Sequence, residues 1–177
     1  VILLAHPNIK ESQANKALVD AVSDMEGVAV FNLYELSQEI AFNVDEWSKI
    51  ISDASAVIYQ FPFYWMSAPS LLKKWQDEVF TFLSKTPAVA GKSLTVVTTT
   101  GSEYEAYRSG GRNRFTMDEL LRPYQVSAIH SGMSWQTPIV VYGMGTADAG
   151  KNIAEGANLY KQRVEMLIGS SNAGNNW

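Results

Sequence analysis

Three stretches of this chain hold the residues able to do chemistry on a bound molecule. The first is Ala5-His6-Pro7-Asn8-Ile9-Lys10-Glu11-Ser12-Gln13-Ala14-Asn15, which leads from an apolar run into a helical pattern. Ser12 suits the N-cap of that helix, and the amides just behind it have no partner within the helix. Such amides, at the positive end of the helix dipole, attract an anion; the Ser12 hydroxyl and a ring N–H of His6, cationic or neutral, add donors. A phosphate group is the expected guest. The plainer alternative is that His6 only bonds its own turn and Ser12 only caps its helix.

The second stretch, Phe61-Pro62-Phe63-Tyr64-Trp65-Met66-Ser67-Ala68-Pro69, crowds aromatic and thioether side chains into what reads as a loop. Loops lie at the surface, so the cluster either plugs the core or offers a flat apolar wall to a planar ligand or a partner subunit. A wall is expected, suited to an isoalloxazine ring whose edge the loop's backbone N–H groups can hold, while a plug is the alternative for Phe61 and Phe63. The third stretch opens with Thr98-Thr99-Thr100-Gly101-Ser102 and runs on to Phe115. Hydroxyls followed by a glycine at a strand end suit a polar ring edge or a ribityl chain. Tyr107 can donate its O–H to charge developing on a substrate oxygen, and Arg108, Arg112 and Arg114 can steer an anionic nicotinamide dinucleotide or simply remain solvated.

Other chemistries lack their residues. Glycine is missing from the first loop, Gly143-Met144-Gly145 has no third glycine at the dinucleotide spacing, and Gly91-Lys92-Ser93 leads into a strand where a Walker A motif leads into a helix. The chain has no Cys and two His, so a thiolate nucleophile and a disulfide are ruled out, no metal site is expected, and His130 reads as a structural residue in a strand-like stretch.

Five β-branched runs alternate with helical patterns, as in repeated βαβ units. The strands are expected at Val1–Ala5, Val28–Leu33, Ala56–Phe61, Ser93–Thr99 and, interrupted by Gly132 and Pro138, between Val126 and Tyr142. Helical spacing of apolar residues marks Ala14–Val22, Trp47–Ala54, Leu71–Leu83, Met117–Tyr124 and Ile153–Leu167. The expectation is a doubly wound α/β fold of three layers, with a five-stranded parallel sheet in the flavodoxin-like order 2-1-3-4-5. Ligands of such sheets bind beyond the carboxyl ends of the strands, where the three loops lie. One domain over residues 1–169 is expected, followed by a polar tail over 170–177.

With 177 residues, 14 Lys+Arg against 18 Asp+Glu and 46% apolar residues, the chain has a core's worth of hydrophobic side chains and the wrong charge for a nucleic-acid binder. No apolar run reaches the roughly 20 residues of a membrane helix, and the opening Val1-Ile2-Leu3-Leu4-Ala5 is no signal peptide, so a cytoplasmic protein is expected. The absent initiator Met implies that the translated product is longer.

Together, His6-Pro7 with Ser12, Ala14 and Asn15, Phe61-Pro62-x-Tyr64-Trp65, and Pro69-x-Leu71-Leu72-Lys73-x-Trp75-x-Asp77-x-Val79-Phe80 resemble the NAD(P)H:quinone oxidoreductase family of flavodoxin-like proteins. Thr99-Thr100-Gly101, Tyr107, Asn113-Arg114-Phe115, Leu120-Leu121-Arg122-Pro123 and Gly132-Met133 continue the resemblance over nearly the whole chain. It is strongest to short bacterial members, including ancillary flavoproteins of glutathione-gated potassium efflux antiporters. The resemblance implies a homodimer with a flavin, FMN ahead of FAD, reduced by NADH or NADPH and reoxidised by a quinone in ping-pong order. It puts the flavin phosphate near His6, Ser12, Ala14 and Asn15, the ring against Pro62, Phe63, Tyr64 and Trp65, and further flavin contacts at Thr99, Thr100, Gly101 and Ser102. Tyr107 matches the substrate-side tyrosine of the family, but the histidine that follows it in animal members is missing, with Arg112 and Asn113 in its place. Segment 82–91 is shorter than its family counterpart. Two other readings stand beside the reductase: a regulatory subunit docked on a membrane transporter, which would hold it at the inner membrane, and a nucleotide-binding module without redox turnover.

Overall fold

The computed structural model describes residues 1–36 and 41–174. In chain order the elements are β1 (Ile2–Leu4), α1 (Gln13–Asp20), β2 (Val30–Asn32), α2 (Leu33–Leu36), α3 (Val44–Asp53), β3 (Ala56–Pro62), α4 (Ser70–Trp75), a π-helical stretch (Gln76–Phe80), α5 (Thr81–Leu83), β4 (Ser93–Thr99), α6 (Met117–Leu120), α7 (Arg122–His130), β5 (Ser134–Trp135), β6 (Ile139–Val141) and α8 (Ala149–Gly174). All strand pairs are parallel, in the order β2-β1-β3-β4, and both β5 and β6 pair with β4. The flavodoxin-like winding expected from the alternation is therefore present.

The strands are mostly apolar on both faces because both are covered. On one side Leu3, Tyr59, Phe61, Leu94 and Val96 pack against Trp47, Trp75, Leu83, Leu121 and Ala128 from α3 through α7. On the other, Ile2, Ile58, Val97, Ile139 and Val141 pack against Leu18 of α1 and Tyr160 and Val164 of α8. Two edge-to-face contacts, Trp47 on Trp75 at 5.2 Å and Tyr59 on Trp75 at 6.0 Å, fix the helices of the first layer over the centre of the sheet.

The fifth strand departs from expectation. Residues 126–130, expected as strand, belong to α7, and the strand proper is two short pieces on either side of Pro138. Pro123 opens α7, Tyr124 and Ala128 face inward four residues apart, and the β-branched Val126 and Ile129 that imitate a strand lie on its solvent side. Gly132, at φ +70°, ends the helix region, and Ser134 begins β5 just beyond it. His130 thus sits exposed at a helix C-terminus, not in a strand. The pattern over Met117–Tyr124 divides at Leu121 into α6 and α7, and α2 has no counterpart in the periodicity. Helix α8 begins at Ala149 and continues through Gly174, so residues 170–174 of the expected tail are helical; 175–177 lie outside the described residues. Among the described residues no helix is long and apolar enough to cross a membrane.

Helix α8 rests on β6 through a missing side chain. A Cβ at Gly156 would lie 2.3 Å from Val141 Cγ2, and Val141 is buried and stiff about χ1. An ordinary helical Gly→Ala change stabilises by about 1 kcal/mol. Gly156→Ala is expected to do the reverse, lowering stability by about 1–3 kcal/mol through overpacking. The check is the urea midpoint, and a raised midpoint would contradict this packing.

Candidate cofactor cleft at the carboxyl edge of the sheet

A cleft of about 270 Å³ opens where β1, β3 and β4 end. Ten of the twelve residues expected to hold a cofactor line it: His6, Ser12, Ala14 and Asn15 from the first loop, Pro62, Phe63 and Tyr64 from the second, and Thr99, Thr100 and Gly101 from the third. The register explains the convergence. Gln60 pairs with Leu4 on one side and with Val97 on the other, so the three strands end almost level. One further bond, from Phe63 N to Thr99 O at 2.9 Å, carries the β3–β4 pairing into the loops.

At the anionic end, Ser12 caps α1: its Oγ accepts from Asn15 N at 3.1 Å. The hydroxyl proton remains free to donate, and the amides of Gln13 and Ala14 open α1 without helical acceptors. His6 is buried, and Asn8 N donates to its Nδ1 at 3.1 Å. That bond makes Nδ1 the acceptor, so the neutral ring carries its proton on Nε2. Burial holds the His6 pKa below its usual 6.5, which favours this neutral donor. Both plain roles weighed for the loop, turn bonding and helix capping, are therefore present, and both leave a donor over. Among the described residues no aspartate or glutamate lines the cleft.

The floor is polar and tied to the strands. Asn15 Nδ2 donates to Thr99 Oγ1 at 3.0 Å, and Gln60 Nε2 donates to Asn15 O at 2.8 Å. Asn15 Oδ1 is buried without a partner. An orphaned acceptor beside a free Thr99 hydroxyl suits a guest that both donates and accepts, as a chain of hydroxyls does.

Two expected residues are elsewhere. The side chain of Trp65 is 97% exposed and does not line the cleft. Tyr64 and Ser67 exchange backbone bonds of 2.8 and 3.0 Å around Trp65 and Met66, which both adopt positive φ, 46° and 62°. This is the backbone of a two-residue hairpin turn built from residues that dislike it, and it throws the indole outward. Ser102 also stands outside the lining, and its Oγ accepts from Arg112 Nη2 at 2.5 Å. Of the other two arginines, Arg108 lies over the Tyr104 ring at 5.6 Å, and Arg114 takes a positive φ of 62° in the loop.

Tyr107 is likewise outside the cleft and lines a neighbouring groove. Its ring packs edge-on against Phe63 at 6.0 Å. Burial pushes its phenol pKa up, against the pull of Arg112 and of hydrogen bonds with Thr100 and Asn113. The Thr100 contact is its link to the cleft. In turn, Thr100 Oγ1 donates to Ser102 O at 2.8 Å.

Gln13, Met144, Ala149 and Ile153 complete the lining without having been expected there. Met144 is presented by the turn after β6, which is bonded to the third loop by Gly143 N to Ser102 O, Met144 N to Thr100 O and Gly145 N to Gly101 O, at 2.8, 2.9 and 2.9 Å. Side chains at Gly145 would crowd this seam, since a Cβ there would lie 3.1 Å from Gly101 O. The pair of glycines around Met144, a chance match as a dinucleotide motif, is the signal that a close turn follows the last strand. Gly91-Lys92-Ser93 is no phosphate loop either, because Lys92 Nζ donates to Ser52 O at 2.8 Å and to Ala54 O, securing the end of α3.

Known proteins resemble this chain over most of its length. The uncharacterized NAD(P)H oxidoreductase YdeQ of Bacillus subtilis is 35% identical over 171 residues, covering 94% of this chain and 86% of that protein. The glutathione-regulated potassium-efflux system ancillary protein KefG of Pectobacterium atrosepticum is 34% identical over 146 residues, 80% of each. The crystal structure of general stress protein 14 of Treponema denticola in complex with FMN superposes with a TM-score of 0.85 at 30% identity, over 94% of this chain and 97% of that one. Residues 1–164 match the family described by its flavodoxin-like fold, and the chain is a member of that family.

Proposed function

We propose that the cleft holds FMN and that the protein is an NAD(P)H-dependent oxidoreductase delivering electrons to a quinone. The observation that carries this reading is the convergence on one small cleft of a capped helix N-terminus, a neutral histidine donor, a proline–aromatic wall and a row of hydroxyls. The FMN in the Treponema relative and the oxidoreductase name of the Bacillus relative support it. A bound flavin supplies hydride chemistry of its own, so no side-chain nucleophile is needed. In this assignment Ser12, His6 Nε2 and the amides of Gln13 and Ala14 bind the phosphate, and Asn15 and Thr99 meet the ribityl hydroxyls. Pro62, Phe63 and Tyr64 form the wall, and Trp65, turned outward, takes no part in it. Tyr107 acts through Thr100 and keeps its proton by burial. NAD(P)H and the quinone enter by the same opening in turn, a ping-pong order. Purified chain that takes up no FMN on reconstitution would overturn the assignment.

A homodimer is proposed as the working form, supported by Ile129 and Val126 at 63% and 54% exposure on α7. Tyr124 of α7 accepts from Ala68 N at 3.2 Å, which sets this helix beside the turn that displays Trp65. A second reading, a regulatory subunit of a potassium efflux transporter at the inner membrane, is favoured by the KefG relatives. Activation of the transporter that persists in a variant unable to bind FMN would favour that reading over the reductase.

Trp65→Gly is expected to retain FMN because glycine tolerates the positive φ, and to stabilise the protein by about 1 kcal/mol. FMN loss in Trp65→Gly would restore the ring-stacking role. Tyr107→Phe is expected to keep FMN and lower kcat about tenfold, near the ~1.4 kcal/mol of one hydrogen bond. Steady-state kinetics with a soluble quinone reads both.

The lowered pKa of His6 means that the unfolded chain takes up a proton more readily, so the protein without FMN should lose stability as pH falls below about 6.5. A bound phosphate favours the imidazolium and should cancel that loss. Thermal melts across this window, with and without FMN, test the pair of slopes, and His6→Asn should flatten the one seen without FMN. Separately, Ile129→Lys should shift the sedimentation profile from dimer to monomer.

A further inference from the structure

Beyond the Tyr107–Tyr142 ring contact, at 5.8 Å, lies a second concavity of about 650 Å³. It shares no lining residue with the cleft. One wall is the outer side of β6, another is α8 and the third is the segment from Tyr104 into the first turn of α6. The volume lies within the range of small-molecule sites.

The chemistry of the groove is consistent along its length. Leu159 and Met166 of α8 stand 57% and 58% exposed, unusual for large apolar side chains on a helix whose opposite face is already buried. Tyr104 and Tyr142 meet edge to face at 5.4 Å, and Arg108 caps the Tyr104 ring. Burial, with the neighbouring Tyr104 and Asp118, pushes the Tyr142 phenol up to about 12, so it stays neutral. The charged lining residues are Arg108 and Arg163 against Asp118, a net positive balance. Arg163 is oriented in advance: its Nη1 donates to Thr137 O at 2.9 Å, which leaves the rest of the guanidinium fork for an acid group.

A peptide strand fits poorly. Pro138 has no N–H, Thr137 O is taken by Arg163, and Tyr142 O accepts from Asn152 Nδ2 at 3.0 Å. Thr100 N bonds Val141 O, so odd-numbered residues of β6 face β4 and Val140 alone turns its backbone outward. A single residue is too short a template for an added strand.

We propose that this groove is a second ligand site, distinct from the cofactor cleft, for a small amphipathic anion. A flat apolar body lies against Tyr104, Leu159 and Met166, and a carboxylate or phosphate end meets Arg163, with Arg108 adding to the positive potential. Tyr107 is the wall between the two sites and touches both, through Phe63 on one side and Tyr142 on the other.

The test is calorimetric titration of the full chain, reconstituted with FMN, using 2-naphthoate as probe and 2-naphthol as its uncharged counterpart. Naphthoate should bind, naphthol about tenfold more weakly, and Arg163→Gln should cost about tenfold in naphthoate affinity, the equivalent of ~1.4 kcal/mol. Arg108→Gln should weaken it less. Leu159→Trp, which fills the groove, should abolish binding while the visible spectrum of FMN and the reductase kinetics stay unchanged. The proposal fails if naphthoate does not bind, if naphthol binds equally, or if binding survives Leu159→Trp and is lost to NADPH, which would put the probe in the cleft. It also fails if Leu159→Trp changes the sedimentation profile, since the groove would then be a contact between copies. The same titration on protein without FMN reads the groove even if the cleft takes no flavin, so the two readings stand or fall apart.

Discussion

The parallel pairing of β3 with β4 is the constraint on which the molecule depends. Seven residues of each strand are in register from Ala56 with Ser93 to Pro62 with Thr99, and nearly all are buried. Because the ladder is buried on both faces, a slip of one residue would exchange the contents of the two cores and expose Phe61 and Tyr59 to the side occupied by α1 and α8. Register therefore cannot drift, and the loops that leave the two strands are brought side by side. The Phe63–Thr99 bond extends the ladder one step past the strands, so the proline–aromatic wall and the hydroxyl row are joined by backbone. The site is built from loops, yet its relative spacing is set by the core.

The same economy explains how one histidine and one serine can serve both fold and ligand. His6 accepts from the turn with Nδ1 and keeps Nε2–H; Ser12 accepts from Asn15 N and keeps its own proton. In each case the structural bond fixes the orientation of the functional one. An isolated donor at the surface would have to lose rotamer freedom on binding; these two have lost it on folding.

Much of this is legible in the sequence, for identifiable reasons. Loops one, two and three stand out because each joins a strongly apolar strand to a stretch of contrary chemistry, and the carboxyl-edge rule for parallel sheets puts them together. Strands β3 and β4 are readable because burial on both faces writes a largely apolar, β-branched run, broken only by Gln60 in one and by threonines in the other. Helix α7 is not, since Val126 and Ile129 look outward and give the segment a strand's composition. Nor are Met144, Ala149 and Ile153 as lining residues, because their place depends on the turn after β6 and on where α8 begins, both set by tertiary contacts. The orientation of Trp65 is the most instructive departure. Its residue type points to stacking, but a pair of left-handed backbone conformations at 65 and 66 decides the direction of the side chain, and nothing in a Trp-Met dipeptide announces them.

Gln60 sits fully buried at the centre of the sheet, reaching across to the first turn of α1 through Asn15 O while its own Oε1 goes without a partner. A leucine in that place would remove the desolvated amide and its unpartnered oxygen, at the cost of the bond to Asn15 O. What the glutamine supplies is axial indexing: it dictates where along the sheet α1 begins, a matter to which greasy contacts are indifferent. Selection for a hardier protein would be drawn to this residue first, and the helix it releases would keep the Asn15–Thr99 bond as its polar tie to the sheet.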